Sequence, residues 1–258
     1  MLYYPYLSYG LEESRLADNL AKKIEDWLRK QVQDRGARGL VVGLSGGIDS
    51  AVTAALCKNV CPDTTLGVIM PCYSDPQDAE HAELLAKTIG IKYKKVVLDE
   101  VFAKMVMLLT GEEYDPGKQD ITIANIKPRL RMTTLYFYAA RMQGLVVGTG
   151  NRSELTVGYF TKYGDGGVDL LPIANLVKKE VRELARLLGI PETIINKPPS
   201  AGLWRGQNDE SEMGITYDEL DNYILTGQAS DRVRKIVDEM ARKSLHKKQL
   251  PAIPPVQL

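Results

Sequence analysis

Gly39-Leu40-Val41-Val42-Gly43-Leu44-Ser45-Gly46-Gly47-Ile48-Asp49-Ser50 runs from an apolar stretch through a glycine turn, and Ala51-Val52-Thr53-Ala54-Ala55-Leu56 continues it as a helix. A strand–loop–helix unit of this kind aims free backbone N–H groups at an anion, and Gly46 and Gly47 let a ligand approach the chain closely. The turn has neither the Gly-Lys-Ser/Thr ending of a phosphate-binding P-loop nor a G-x-G-x-x-G pattern. It carries an acid instead, Asp49. A carboxylate repels phosphates unless a cation lies between them, so the loop points to a metal-bound pyrophosphate. A plain strand-to-helix turn, with Ser45 as cap and Asp49 at the positive helix end, uses the same residues without a ligand.

Outward from this loop the apolar pattern alternates between the two periods. Leu16, Leu20, Ile24, Trp27, Leu28 and Val32 recur at helical spacing, giving an amphipathic helix over 12–35. Strands are expected at 39–44, 66–70, 91–98 and 145–148, with a further short one near 168–172. Helices are expected at 48–60, 76–88, 100–110, 128–142, near Asn151, and at 176–188, 217–225 and 230–245. Strands alternating with helices imply an α/β fold, a doubly wound parallel sheet flanked by helices, with ligands bound outside the carboxyl ends of the strands. Both Ser45–Ser50 and Thr149–Glu154 fall at strand ends, so the two loops would face one crevice. The whole chain, 1–258, reads as a single domain. Residues 196–215 hold two prolines, three glycines and little periodicity, which suits a lid or a disordered stretch.

Composition removes several classes. The chain has 258 residues, 44% hydrophobic, with 33 basic and 33 acidic side chains. A net charge of zero gives no footprint for nucleic acid. No apolar run approaches the ~20 residues of a membrane span, and the first residues lack a secretory pattern. Three cysteines, Cys57, Cys61 and Cys72, are too few and too odd for a disulfide framework and fit a reducing cytoplasm.

The loop resembles the SGGxDS signature of the PP-loop ATP pyrophosphatases, which split ATP between its α and β phosphates. That resemblance implies an adenine nucleotide alpha-hydrolase-like, Rossmann-like fold. The segment Gly148-Thr149-Gly150-Asn151-Arg152-Ser153-Glu154, continuing through Lys162-Tyr163-Gly164-Asp165-Gly166-Gly167-Val168-Asp169, narrows it: the chain is similar to the ammonia-dependent NAD synthetases. Asn125-Ile126-Lys127-Pro128-Arg129-Leu130-Arg131-Met132, Lys197-Pro198-Pro199-Ser200-Ala201, Gly214-Ile215-Thr216-Tyr217-Asp218 and His246-Lys247-Lys248 extend the similarity in consistent order.

The resemblance implies ATP-dependent amidation of deamido-NAD by ammonia through an acyl-adenylate, giving NAD, AMP and pyrophosphate. It implies Mg²⁺ held by Asp49 and Glu154. It implies ATP contacts from Gly43, Leu44, Ser45, Gly46, Gly47, Ile48, Asp49 and Ser50, and from Thr149, Lys178 and Ser200. Deamido-NAD falls to Arg129, Lys162, Asp169, His246 and Lys247. Each has a plainer reading beside it. Asn151 and Glu154 have capping-box spacing, a helical lysine such as Lys178 is normally solvated, and a strand end accounts for Thr149. Arg129 and Arg131 lie two apart on a helix and face different ways, and Arg129 is the one matched to the dinucleotide. Asp165, before two glycines, suits a turn. As a carboxylate it would also bind ammonium and help remove its proton, so Asp165 and Ser200 are the candidate catalytic residues.

The family forms homodimers, and the mostly apolar helix at 128–142 is the expected contact or a buried core helix. The chain is too short for the glutaminase domain of glutamine-dependent relatives, so direct use of ammonia is expected. Competing readings are another PP-loop adenylating amidotransferase core and a non-catalytic ATP-sensing module.

Overall fold

The computed structural model describes the backbone of residues 6–204 and 206–254 and side-chain surroundings from residue 17 onward; the expected domain's ends, 1–5 and 255–258, lie outside the described residues. Four strands, β1 (Leu40–Gly43), β2 (Thr65–Ile69), β3 (Lys92–Lys95) and β4 (Leu145–Val147), make one parallel sheet in the order β3-β2-β1-β4. The chain winds outward from β1 through α2 (Ile48–Val60), β2 and α3 (Pro76–Thr88) to β3. It returns through α4 (Asp99–Thr110), α5 (Ile121–Ala124) and α6 (Ile126–Met142) to β4, on the other side of β1. The switch point therefore lies between β1 and β4, and at their carboxyl ends a crevice must open.

Both faces of the sheet are covered, as a parallel sheet requires. Leu40, Val42, Ile69 and Val147 face a core shared with α1 (Tyr6–Asp34), α2, α3 and α8 (Lys178–Leu187). Alternate residues Val41, Val68 and Val146 face Phe102 and Val106 of α4 and Ala139 of α6. A smaller third cluster joins α7 (Arg152–Val157), α10 (Asp209–Met213), α11 (Tyr217–Thr226) and α12 (Asp231–Ser244) around Tyr217, Leu220, Val233 and Val237. This cap stands over the carboxyl end of the sheet through α7, which follows β4 directly. Among the described residues no helix is long and apolar enough to cross a membrane.

The structure departs from the sequence expectations at four places. The third strand, Lys92-Tyr93-Lys94-Lys95, lies within the expected 91–98 but is shorter, ending before the valine-rich residues. Val96 and Leu98 continue the edge only as N–H donors, to Ile69 and Pro71 at 2.8 Å each. The stretch at 168–172 contributes one bridge, Val147 to Leu170. The long loop at 196–215 is shortened by α10 and preceded by the single turn α9 (Glu192–Ile195). In α6, Ala139 is buried but Phe137 is 54% exposed, and on α4 Val101, Met105 and Leu108 are exposed as well.

Candidate active site

The loop after β1 is shaped by its own hydroxyls. Ser50 Oγ accepts from the Ser45 N–H at 3.2 Å and donates to the Gly47 carbonyl at 2.9 Å. Ser45 Oγ donates to Ser50 Oγ at 3.0 Å and accepts from the Gly47 N–H at 3.2 Å. Gly46 has φ +76°, and a Cβ there would come within 2.2 Å of the Asp78 carbonyl on α3. Only glycine fits both demands. Gly47 opens α2 with no side-chain cap, so the first-turn N–H groups keep their capacity for an anion.

Three charges meet beside this loop. The buried ammonium of Lys178, first residue of α8, donates to Asp49 Oδ2 at 2.5 Å and lies 3.5 Å from Glu154 Oε1. Asn151 Nδ2 donates to Asp49 Oδ1 at 2.9 Å. Asn151 also caps α7, and Glu154 Oε2 accepts from its N–H at 3.2 Å, completing a capping box. The cap and the meeting with Asp49 are therefore compatible uses of one side chain. The Tyr217 ring lies 4.8 Å from Lys178 Nζ and closes the far side.

Burial and the Asp49 charge push the Glu154 carboxyl well above the ordinary carboxylate range, with Lys178 opposing. Burial works to lower Lys178, but Asp49 and Glu154 outweigh it and hold it above the usual lysine value. Two carboxylates converging on one cation are also a donor set suited to Mg²⁺, which takes one or two protein carboxylates with phosphates and water. Each of their four oxygens has a single hydrogen-bond partner here and so keeps acceptor capacity.

A cavity of about 590 Å³ opens from this cluster. Gly43, Leu44, Ser45, Gly47, Ile48 and Ser50 line one wall, with Asp49, Glu154 and Lys178 below. Thr149 and Ser200 border it from the end of β4 and from the 196–208 segment. Asp165 and Lys247 also border it. Asp165 is open to the cavity while protein surrounds it, and Oδ1 accepts from the Thr161 N–H at 2.9 Å. Desolvation raises its carboxyl, with Arg131 and Lys247 among the groups opposing. Lys247 donates to the Gly158 and Phe160 carbonyls at 2.8 and 2.7 Å, and burial lowers its pKa.

The remaining expected residues lie outside the cavity wall. Arg129 is exposed and reaches the Lys162 carbonyl at 3.4 Å, while Lys162 Nζ donates to the His246 carbonyl at 2.6 Å. These three form one surface group. Asp169 stands apart, with Oδ2 accepting from the Val146 N–H at 2.7 Å and Oδ1 from Tyr136 at 3.2 Å, so it covers the free edge of β4.

Sequence reasoning set Arg131 aside in favour of Arg129 and did not name Asp209, yet both line the cavity. Arg131, on the opposite phase of α6 from Arg129, lines the wall and donates to the Met70 carbonyl and Ser74 Oγ at 3.2 and 3.0 Å. The helical phase separates the two arginines but does not say which faces inward. Asp209 is buried and accepts from the Ala201 N–H at 2.9 Å and from Tyr217 at 3.3 Å. It falls in the stretch expected to be loop, where no periodicity marks it.

The family described as NAD synthase matches residues 20–251. The chain belongs to the NAD synthase family. It is 55% identical over 234 residues to an NH(3)-dependent NAD(+) synthetase of Carboxydothermus hydrogenoformans, covering 90% of this chain and 96% of that one. Two solved structures share the architecture. NMN synthetase from Francisella tularensis superposes with a TM-score of 0.88 at 36% identity, covering 93% of this chain and 99% of that one. The NH3-dependent NAD synthetase from Campylobacter jejuni gives a TM-score of 0.75 at 28% identity, covering 92% and 98%.

Proposed function

We propose that this member of the family joins ammonia to the nicotinate carboxylate of deamido-NAD with cleavage of ATP, giving NAD, AMP and pyrophosphate. The observation that carries this reading is the convergence of Asp49 and Glu154, from the ends of β1 and β4, on one cationic position beside an uncapped helix start. A carboxylate is a poor electrophile because its oxygen leaves badly; attack on the ATP α-phosphate expels pyrophosphate and gives an acyl-adenylate, from which ammonia, attacking the carbonyl carbon, displaces AMP. The loop from Gly43 to Ser50 cradles the departing pyrophosphate through backbone N–H groups. Asp49 and Glu154 would hold Mg²⁺, which supplies charge neutralisation to the phosphates when bound. Thr149, Lys178 and Ser200 orient ATP within the same cavity. Asp165, a carboxylate whose affinity for protons is raised, receives ammonium and takes a proton from it. Arg129, Lys162, His246 and Lys247 gather the dinucleotide at the cavity mouth, with Asp169 beyond it.

The enzyme works as a homodimer through the exposed apolar faces of α4 and α6, and in the cytoplasm, where its free thiols stay reduced. The close superposition on an NMN synthetase supports a second reading, in which the acid substrate is the mononucleotide. Incubation with ATP, Mg²⁺, ammonium and either deamido-NAD or nicotinate mononucleotide, followed by product separation, decides between them. NAD with equimolar AMP and pyrophosphate is the expected result, and NMN alone selects the second reading. AMP release without either amide would overturn both.

A further inference from the structure

Lys127 has no place in the reaction just described, yet it is among the most deeply buried side chains, at 1% exposure. A lysine is almost never buried without a charged partner. Here no carboxylate of the described residues forms an ion pair with it. Its ammonium instead donates to the Leu203 carbonyl at 2.7 Å and touches Tyr114 Oη at 3.4 Å. It sits 5.1 Å from the Phe102 ring centre and 5.5 Å from that of Tyr114. The rings pack edge to face with centres 4.7 Å apart, so the pocket around the ammonium is rigid. Desolvation draws the amine's pKa down, which registers how little compensates the charge.

The one strong acceptor comes from a distant part of the chain. Leu203 lies in the segment that bears Ser200, and Ser200, Ala201, Gly202 and Leu203 all border the ATP cavity. Lys127 does not border it, but Pro128 and Arg131, next along α6, do. The Leu203 N–H is held at the same time by Gln207 Oε1 at 2.7 Å. Further back, Lys197 pairs with Asp78, the residue whose carbonyl forces glycine at position 46. If the segment lifted away, the ammonium would lose its one strong acceptor and keep only a hydroxyl at 3.4 Å and two ring faces. Leaving a buried charge without its acceptor is heavily disfavoured, whereas most loop contacts can be exchanged for water.

We propose that Lys127 is a positioning residue: its caged ammonium grips the Leu203 carbonyl and thereby holds the Ser200-bearing segment over the nucleotide cavity. The role in catalysis rests on the ATP-dependent reading above, but the grip itself does not, and the two can be tested separately. Trp204 adjoins Leu203, and Trp27 is the other tryptophan, on α1. In a Trp27→Phe background the emission of Trp204 therefore reports the segment without any substrate.

Lys127→Met is expected to shift Trp204 emission to longer wavelength and make it more easily quenched by acrylamide. It is also expected to raise KM for ATP about tenfold or more while KM for ammonium stays put, as the loss of a charged hydrogen bond on one side of the site implies. Wild-type Trp204 emission and quenching in a folded Lys127→Met protein would overturn the proposal, whatever the turnover. Should that protein fail to fold, Tyr114→Leu opens the cage while leaving the amine. It must then give the same change in Trp204, and unchanged emission there overturns the grip equally. A Trp204 change in an enzyme that does not turn over deamido-NAD would instead sink the functional reading and leave the grip standing.

Discussion

Replacing Lys178 with methionine tests the charge cluster on which the site is built. The substitution keeps most of the volume of the buried stem but removes the ammonium between Asp49 and Glu154. The side chains of Lys178, Asp49 and Glu154 are 4%, 16% and 18% exposed, so solvent screens the change only in part. Leaving a buried charge uncompensated costs about 3–5 kcal/mol. Part of that is recovered because Glu154, already raised by burial and by Asp49, loses the group that opposed the rise and takes up a proton. Each further unit of upward shift corresponds to about 1.4 kcal/mol. With about 2–4 °C of melting temperature per kcal/mol for a chain of this length, the loss is roughly 10 °C at neutral pH. Its sign with pH is fixed. A carboxyl whose folded pKa lies above its unfolded value binds more protons when native, so it weakens the fold as pH rises between the two values. That window is wider in the variant. Melting curves followed by circular dichroism at about pH 5.5 and about pH 8.5 should show the deficit smallest in acid and largest in alkali. Equal melting of variant and wild type at both pH values would refute the argument that Lys178 neutralises this acid pair.

The other predictions address the loop, the two arginines and the ammonia step. Gly46→Ala should lose roughly 2 kcal/mol or more in urea unfolding, from a positive φ and a Cβ pressed onto the Asp78 carbonyl; an unchanged midpoint would mean the turn is not as described. Arg131→Met should raise KM for ATP about tenfold or more and destabilise by about 1–3 kcal/mol, since a buried carbonyl and a half-buried hydroxyl lose their donor. Exposed Arg129→Ala should stay within about 0.5 kcal/mol of wild type in stability and act on KM for deamido-NAD alone. A reversed pattern would exchange their roles. Asp165→Asn should keep ATP–pyrophosphate exchange and lose amide formation, measured as isotope exchange against NAD yield; loss of exchange would place Asp165 in adenylation instead.

What the sequence displays and what it conceals divide along physical lines. The helices at 48–60 and 76–88 begin where the pattern says, because Gly47 and Pro76 mark their starts and local signals suffice there. β3 falls within the expected 91–98 but stops at Lys95; as an edge strand it tolerates lysines, and Lys92, Tyr93, Lys94 and Lys95 are all exposed. Val96 and Leu98 beyond it pack in the core without joining the strand, while Val97 is exposed. The burial of Lys178 is illegible for a different reason. As the first residue of an amphipathic helix it looks solvated, and only the meeting of two strand ends supplies the acids that hold it. The same holds for Asp209, in a five-residue helix too short to leave a periodic trace.

A site that is to receive a divalent cation and a polyanion must also be stable before either arrives. Two converging carboxylates alone would repel and drive the strand ends apart. One lysine fixed between them leaves a single negative charge, and the readiness of Glu154 to take a proton can remove that as well. A metal ion held by this pair would displace that proton, since carboxylate ligands bind metal in their deprotonated form. With the two positive charges of a divalent ion the cluster would become net positive, which is the sign the uncapped start of α2 already presents to an anion. The capping box fits the same logic. By tying Glu154 to the start of α7 through Asn151, which also holds Asp49, the fold fixes the separation of the two acids independently of any ligand. Preorganised acids need no rearrangement when the phosphates enter, and the cost of bringing them together is met by folding rather than by binding.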